Sequence, residues 1–301
     1  MSIQFIKFRK IFYAFSIIAI ILSIASIFIF GLELGIDFTG GSMLEVEFEG
    51  ERPSIQIIQE KISEIDSEKI IVQPVEEKGV ILKTKSTSEE TYTKAIEKLE
   101  ELGALKQDAS QFETIGPVIG NELKNKTKIV VILSLMAIVF YIAFSFRRIS
   151  KPVNSFAYGF TSLIALCHDV LIPLGIFAFL GKFYGVQITI PVITAFLTVL
   201  GYSINNSVVV FDRARENLLR SRETSFGFII NKSLNETLTR SINTSLTTLF
   251  VLFAIFFSGG ETLKYFSLAL ILGISFGTYS SMFLVTPLLV SYLGWREKRL
   301  H

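Results

Sequence analysis

Apolar and polar positions along this chain fall into two textures. In one, apolar residues run on for the length a bilayer requires, about 20 residues for a helix. Six such runs are present, at about 11–30, 129–146, 157–180, 188–211, 241–258 and 265–293, and each predicts a transmembrane helix. In the other texture, between the first two runs, apolar residues alternate or recur at helical spacing with charges between them. Met43–Glu49 sets Leu44, Val46 and Phe48 on one face and Glu45, Glu47 and Glu49 on the other, the pattern of a half-buried strand. Pro53 opens a helix with Ile55, Ile58 and Ile62 on one stripe. Short strands follow near 70–73 and 80–83 around the turn Glu77-Lys78-Gly79. Thr87 and Glu90 form a capping box for a second helix, whose Ala95, Ile96, Leu99 and Leu102 face inward. A last strand near 111–115 gives the order β-α-β-β-α-β, a ferredoxin-like α+β domain with its core at about 43–115.

Charge orients the spans. Lys7, Arg9 and Lys10 precede the first, Arg147, Arg148 and Lys151 separate the second and third, and Arg213, Arg215, Arg220, Arg222, Lys232 and Arg240 separate the fourth and fifth. Arg296, Lys298 and Arg299 follow the sixth. Cytoplasmic loops carry the excess of Lys and Arg. The expected layout is therefore a cytoplasmic N-terminus (1–10), an extracytoplasmic segment (31–128), a cytoplasmic connection (212–240) and a cytoplasmic C-terminus (294–301), in a plasma or inner membrane. The first run is too long for a signal-peptide core, and Gly31–Gly35 is a poor cleavage site, so it reads as a retained helix. The connection mixes basic residues with Leu218, Leu219, Phe226, Phe228, Ile229 and Ile230, and reads as an amphipathic segment on the membrane surface.

Composition adds mainly exclusions. The 301 residues are 50% hydrophobic with 28 Phe, too apolar for one soluble domain. The net charge of +2 reflects a split of charge by membrane side, and no basic patch interleaved with aromatics suggests nucleic acid. The single Cys167 cannot form an intrachain disulfide or a cysteine metal cluster. The extracytoplasmic domain has no His, no Cys and no glycine-rich phosphate loop, so it reads as a docking module. No enzyme, metal or cofactor chemistry is expected of the chain.

The candidate chemistry lies in the spans. The fourth holds five polar residues within Tyr202–Ser207, and the third holds His168 and Asp169 near its midpoint. A carboxylate at that depth costs about 2.5–3.5 kcal/mol on insertion scales, so such groups face a bundle interior or a hydrated path. Asp169 suits a proton relay; the alternative is a group that only locks packing. His168 reads either as part of that relay or as a satisfied packing residue. Asn205 and Asn206 can order water or bond across helices but hold no proton. Arg240 and Asn243 share a helix face. Arg240 either snorkels to the interface or turns inward to pair with an acid. Gly273 and Gly277 permit close helix contact, and Gly116-Pro117-Val-Ile-Gly120 breaks the chain ahead of the second span.

Several motifs together identify a resemblance. Gly35-Ile-Asp37-Phe-Thr-Gly40-Gly41, Ile115–Gly120, His168-Asp-Val170, Gly201–Asn205, Val210–Asn217, Arg240–Ser245 and Gly277–Ser281 occur in the order seen in the SecF family of protein-export membrane subunits. The likeness covers nearly the whole chain. It implies six helices forming half of an RND-type transporter, paired with SecD. Such a pair uses the proton motive force to draw preproteins out of the SecYEG channel after SecA has driven them in. It also implies that Asp169 and Arg240 belong to an intramembrane polar network, and that membrane lipid surrounds the subunit. One departure stands out: the family usually carries an acid where this chain has Asn206, which removes one candidate proton carrier. Two other readings remain at this point, a non-conducting scaffold for SecD and the channel, and a small RND-like exporter.

Overall fold

The computed structural model describes residues 3–65, 70–75, 77–84, 89–106, 111–145, 154–220 and 225–300. It divides into two compact units, one formed by 33–129 with 187–190, the other by the remaining segments.

The first unit contains the sheet. Strands β1 (Gly41–Glu47), β2 (Ile71–Val75), β3 (Gly79–Thr84) and β4 (Gln111–Ile115) lie in the order β2-β3-β1-β4, all antiparallel. Leu44 faces Leu82 on one side and Phe112 on the other, and Val46 faces Val80. Helices α3 (Ile55–Ser63) and α4 (Glu89–Glu100) cover the same face. Leu44, Val46 and Phe48 meet Ile58, Ile62, Ala95 and Leu99 there in one apolar core. This unit is thus a ferredoxin-like α+β domain, as the alternation and stripe predict. Pro74 lies on the edge strand β2, where its missing N–H weakens no central ladder.

Two boundaries differ from expectation. Strand β1 starts at Gly41, and Phe48 bridges Leu105 beyond its end. Helix α3 starts at Ile55, not Pro53: the hydroxyl of Ser54 accepts from the Ile57 N–H at 3.4 Å, and serine is much the better cap. Thr87, half of the expected capping box, lies outside the described residues.

The second unit is helical. A short helix, α2 (Ile36–Thr39), belongs to the first unit. The long helices are α1 (Arg9–Phe30), α5 (Pro117–Ser145), α6 (Ser155–Tyr184), α7 (Ile190–Arg220), α8 (Phe226–Ser258) and α9 (Glu261–Ser280). Helix α9 continues through a π-helical turn, Ser281–Val285, into α10 (Thr286–Leu300). Among the described residues, six helical stretches are long and apolar enough to cross a membrane. Several helices outrun their apolar runs, because hydrophobicity reports contact with hydrocarbon and not helix length. Pro117 is the first residue of α5, where a missing N–H costs nothing.

The expected surface-lying connection is corrected. Residues 213–220 extend α7 and 226–240 open α8. Phe226, Ile230 and Leu234 are buried against Val210, Phe211 and Ala214, so the apolar face of this segment packs into the bundle. Leu219 and Phe228 remain exposed.

Candidate functional site

Helix α6 carries Asp169 into the interior of the helical unit, where both it and His168 are fully buried. The carboxylate is reached from three helices. Ser203 of α7 donates to Oδ2 at 2.5 Å, Ser280 of α9 donates to the same oxygen at 2.7 Å, and Nδ1 of His168 lies 2.8 Å from Oδ1. His168 in turn stacks on Tyr279, with ring centroids 5.9 Å apart, and meets Phe276 edge-on. The Tyr279 hydroxyl donates to the Phe12 carbonyl at 3.0 Å and accepts from Ser16, so the cluster extends to α1.

Packing by small residues makes this convergence possible. A side chain at Gly273 would collide with Val199, and a Cβ at Gly277 would lie 2.9 Å from that of Ser203. The two glycines therefore seat one turn of α7 directly on α9 and hold Ser203 at the carboxylate. Gly175 of α6 does the same for α1, with no room for a Cβ beside Ser23. In hydrocarbon, where apolar burial gives little drive, such close contacts and interhelical hydrogen bonds hold helices together. The π-helical turn starts at the residue after Ser280, and the Thr286 hydroxyl donates to the Ser281 carbonyl at 3.2 Å. Turns of this kind are frequent at functional positions.

Chemically, the arrangement suits a group that changes protonation. An ionised Asp169 can accept from all three neighbours. When Oδ2 carries a proton it must donate, so one serine hydroxyl has to turn. Ser280 has somewhere to turn, because the Gly277 carbonyl lies 3.2 Å from its oxygen. Protonation can therefore loosen the tie between α6 and α9 without stranding a hydroxyl.

The other expected residues are divided by the structure. Asn206 is buried one turn beyond Ser203, and its Nδ2 has no hydrogen-bond partner among the described residues; the same holds for Nε2 of His168. Asn205, Arg240 and Asn243 are exposed on this chain. Among the described residues no ion pair joins Arg240 to an acid, so the inward pairing is not formed in this structure. Ser241 and Ser245 occupy the buried face of α8 instead, and Ser245 links Tyr202 (3.5 Å) to Thr278 (2.6 Å). Among the described residues no three His, Cys, Asp or Glu gather as a metal site would require.

The glycine motifs interlock within the first unit. The Asp37 carboxylate accepts from the N–H of Ile190, the first residue of α7, at 2.8 Å, as a capping acid does. Gly40 has φ +72°, and a Cβ there would lie 2.8 Å from the Pro117 Cα, while one at Gly120 would lie 2.9 Å from the Gly40 nitrogen. Gly41 also has positive φ, at 128°. A Cβ at Gly116 meets nothing, so no steric demand accounts for that glycine. These contacts pin the residues preceding β1, α5 and α7 to one another.

Sequence reasoning missed the partners of Asp169. It also missed a polar seam between α7 and α8. Glu236 accepts from Arg213 Nε and Asn217 Nδ2, each at 2.7 Å, Asn217 also donates to Ser233 at 2.9 Å, and Arg213 pairs with Glu216 as well. Polar residues spaced three and four apart in both segments were the available signal.

Comparison with known proteins places these features in a family. The profile described as protein export membrane protein SecD/SecF, C-terminal, matches residues 94–295, and the SecD/SecF GG motif matches 25–51. The protein translocase subunit SecF of Thermobaculum terrenum is 40% identical over 98% of this chain and 95% of its own length. That of Anaerolinea thermophila is 34% identical over 96% and 94%. The crystal structure of SecDF from Thermus thermophilus, described as a translocon-associated membrane protein, superposes with a TM-score of 0.83 at 30% identity. The match covers 99% of this chain, which spans 39% of that longer one.

Proposed function

The chain belongs to the SecF family of protein-export membrane subunits, and from that premise we propose that it is a proton-responsive half of a SecD-paired export device. In this reading it joins SecD in the cytoplasmic membrane with both termini inside and the ferredoxin-like unit outside. The pair spends the proton motive force on drawing preproteins from the SecYEG channel. Asp169 is the proton-binding group of this subunit. Arg240, Asn205 and Asn243 face the SecD side, and Asn206 orders water or a partner group where relatives of the family usually carry an acid.

The observation that carries the reading is the set of donors around Asp169, contributed by α6, α7 and α9. A proton can drive motion only if it favours one arrangement over another. A carboxylate tied to three helices meets that condition, since gaining a proton rearranges bonds to each. A second reading, a scaffold that leaves proton chemistry to SecD, is favoured by the neutral Asn206. Proton flux and preprotein export, measured in vesicles holding this chain, SecD and the channel, separate the two. Asp169→Asn is expected to abolish most of the coupled flux, and Asn206→Asp to raise or shift it. Unchanged flux and export in both variants would leave the scaffold.

A further inference from the structure

The N-terminal segment is strapped across the start of α8. Asn235 accepts from the Ile3 N–H at 2.8 Å and donates to its carbonyl at 2.9 Å; Asn231 donates to the same carbonyl at 3.1 Å and accepts from Ile6 at 3.3 Å. Phe5 is buried beneath the strap, against Phe283. Beside it runs an open groove of about 560 Å³, lined by Gln4, Lys7, Gly227, Phe228, Lys232 and Glu236 among others.

Three features of this groove point to one kind of occupant. First, Lys7 and Lys232 both line it, against a single carboxylate among the described lining residues, and that one is shared among several donors. Glu236 Oε2 accepts from Arg213 and Asn217 at 2.7 Å, and its other oxygen lies 3.9 Å from Lys232. One carboxylate so shared leaves the two lysines in excess over the negative charge of the described lining. Second, the first turn of α8 opens at Ser225 beside the groove, and helix starts favour negative charge. Third, apolar positions of two other helical segments lie next to the groove. A Cβ at Gly227 would lie 3.6 Å from Val290 and 3.8 Å from Ile6. Val290 is in the last apolar turns of α10, and Ile6 comes just before the basic start of α1. Phe228, 57% exposed on the same lining, supplies an apolar wall.

We propose that this groove binds the phosphodiester headgroup of an anionic membrane lipid. Lys7 and Lys232 would hold the phosphate, Phe228 would pack along the glycerol and upper acyl chain, and the bound lipid would fasten the strap to α8. Basic pockets between helices on the cytoplasmic side suit this chemistry, and the anionic leaflet supplies the ligand.

The test uses the full chain, with any SecD subunit it retains, in nanodiscs of equal phosphatidylglycerol and phosphatidylcholine. Lipid kept after release into the gas phase is counted by native mass spectrometry. Wild type is expected to retain phosphatidylglycerol over phosphatidylcholine by about thirtyfold, the effect of two lysines at a charged surface. The double variant Lys7→Gln/Lys232→Gln should fall to near parity with an unchanged melting temperature. Hydrogen exchange at residues 3–7 should slow with phosphatidylglycerol in wild type but not in the double variant. The control Lys298→Gln, a lysine at the basic end of α10 and outside the groove, should behave as wild type. The proposal fails if the double variant keeps the wild-type ratio or if Lys298→Gln loses as much. Displacement of the lipid by millimolar inorganic phosphate would also overturn it, in favour of a soluble anion.

Discussion

The two units bury opposite things. In the ferredoxin-like unit the interior is apolar, from Leu44 and Val46 to Ile58 and Leu99, and the charges sit outside in pairs such as Lys61–Glu101. Its buried polar residues, among those described, are Ser42, Gln73 and Lys83, and the last two satisfy each other at 2.8 Å. In the helical unit the lipid-facing surface is apolar, with Ile18, Ile21 and Phe28 of α1 exposed, while Ser16, Ser23, His168, Asp169, Ser203, Ser233 and Ser280 are inside. Water drives the first arrangement by rejecting apolar surface. Hydrocarbon cannot, so the second relies on close approach and on hydrogen bonds between helices. Bulk holds one unit together, and smallness holds the other.

Three substitutions or conditions press on that contrast. Leu99→Ala removes fully buried bulk from the sheet–helix core and should cost about 2–5 kcal/mol. Hydrogen exchange of β1 and β3 in the full chain would register it; unchanged protection would mean the core is not the source of that unit's stability. Gly273→Val adds bulk where Val199 already sits and should cost about 1–3 kcal/mol, read as a lower melting temperature in detergent. A neutral result there would break the claim that α7 and α9 are held by close approach. The smallest effect is electrostatic. The hydrogen bond from Lys61, with Lys98 assisting, holds the Glu101 carboxyl below its usual range. A carboxyl lowered on folding stabilises above its unfolded value and loses that contribution as pH falls through the folded one. Exchange protection at the C-terminal end of α3 should therefore weaken only slightly on acidification, since both groups are exposed and solvent screens them. A large loss would show that surface charge, not the apolar core, stabilises the unit.

Legibility followed the same division. Alternation in β1 and the stripe of α3 announced which residues would be buried, because a water-facing domain displays its core as a periodic pattern. Asp169 announced itself as an acid in an apolar run. Its serine partners did not: serine is unremarkable in a membrane helix, and whether Ser203 faces Asp169 depends on the rotation of α7. Gly273 and Gly277 set that rotation, and their spacing was visible without showing which helix they would seat. Arg240 was ambiguous for the same reason, since its facing depends on how α8 rolls against α9.

By itself, the amino-acid sequence determined the number of apolar helices, the βαββαβ order of the domain between the first two, and the presence of a buried acid. Each of these depends on hydrophobicity or local propensity, quantities carried by residues within a few turns of one another. Tertiary structure alone decided that Asp169 is tied to Ser203 and Ser280, that Phe226, Ile230 and Leu234 at the start of α8 pack into the bundle, and that Phe5 lies beneath an asparagine-clamped strap. Those outcomes join residues up to 232 positions apart. They are set by how helices rotate and approach, and steric fit between distant small residues governs that.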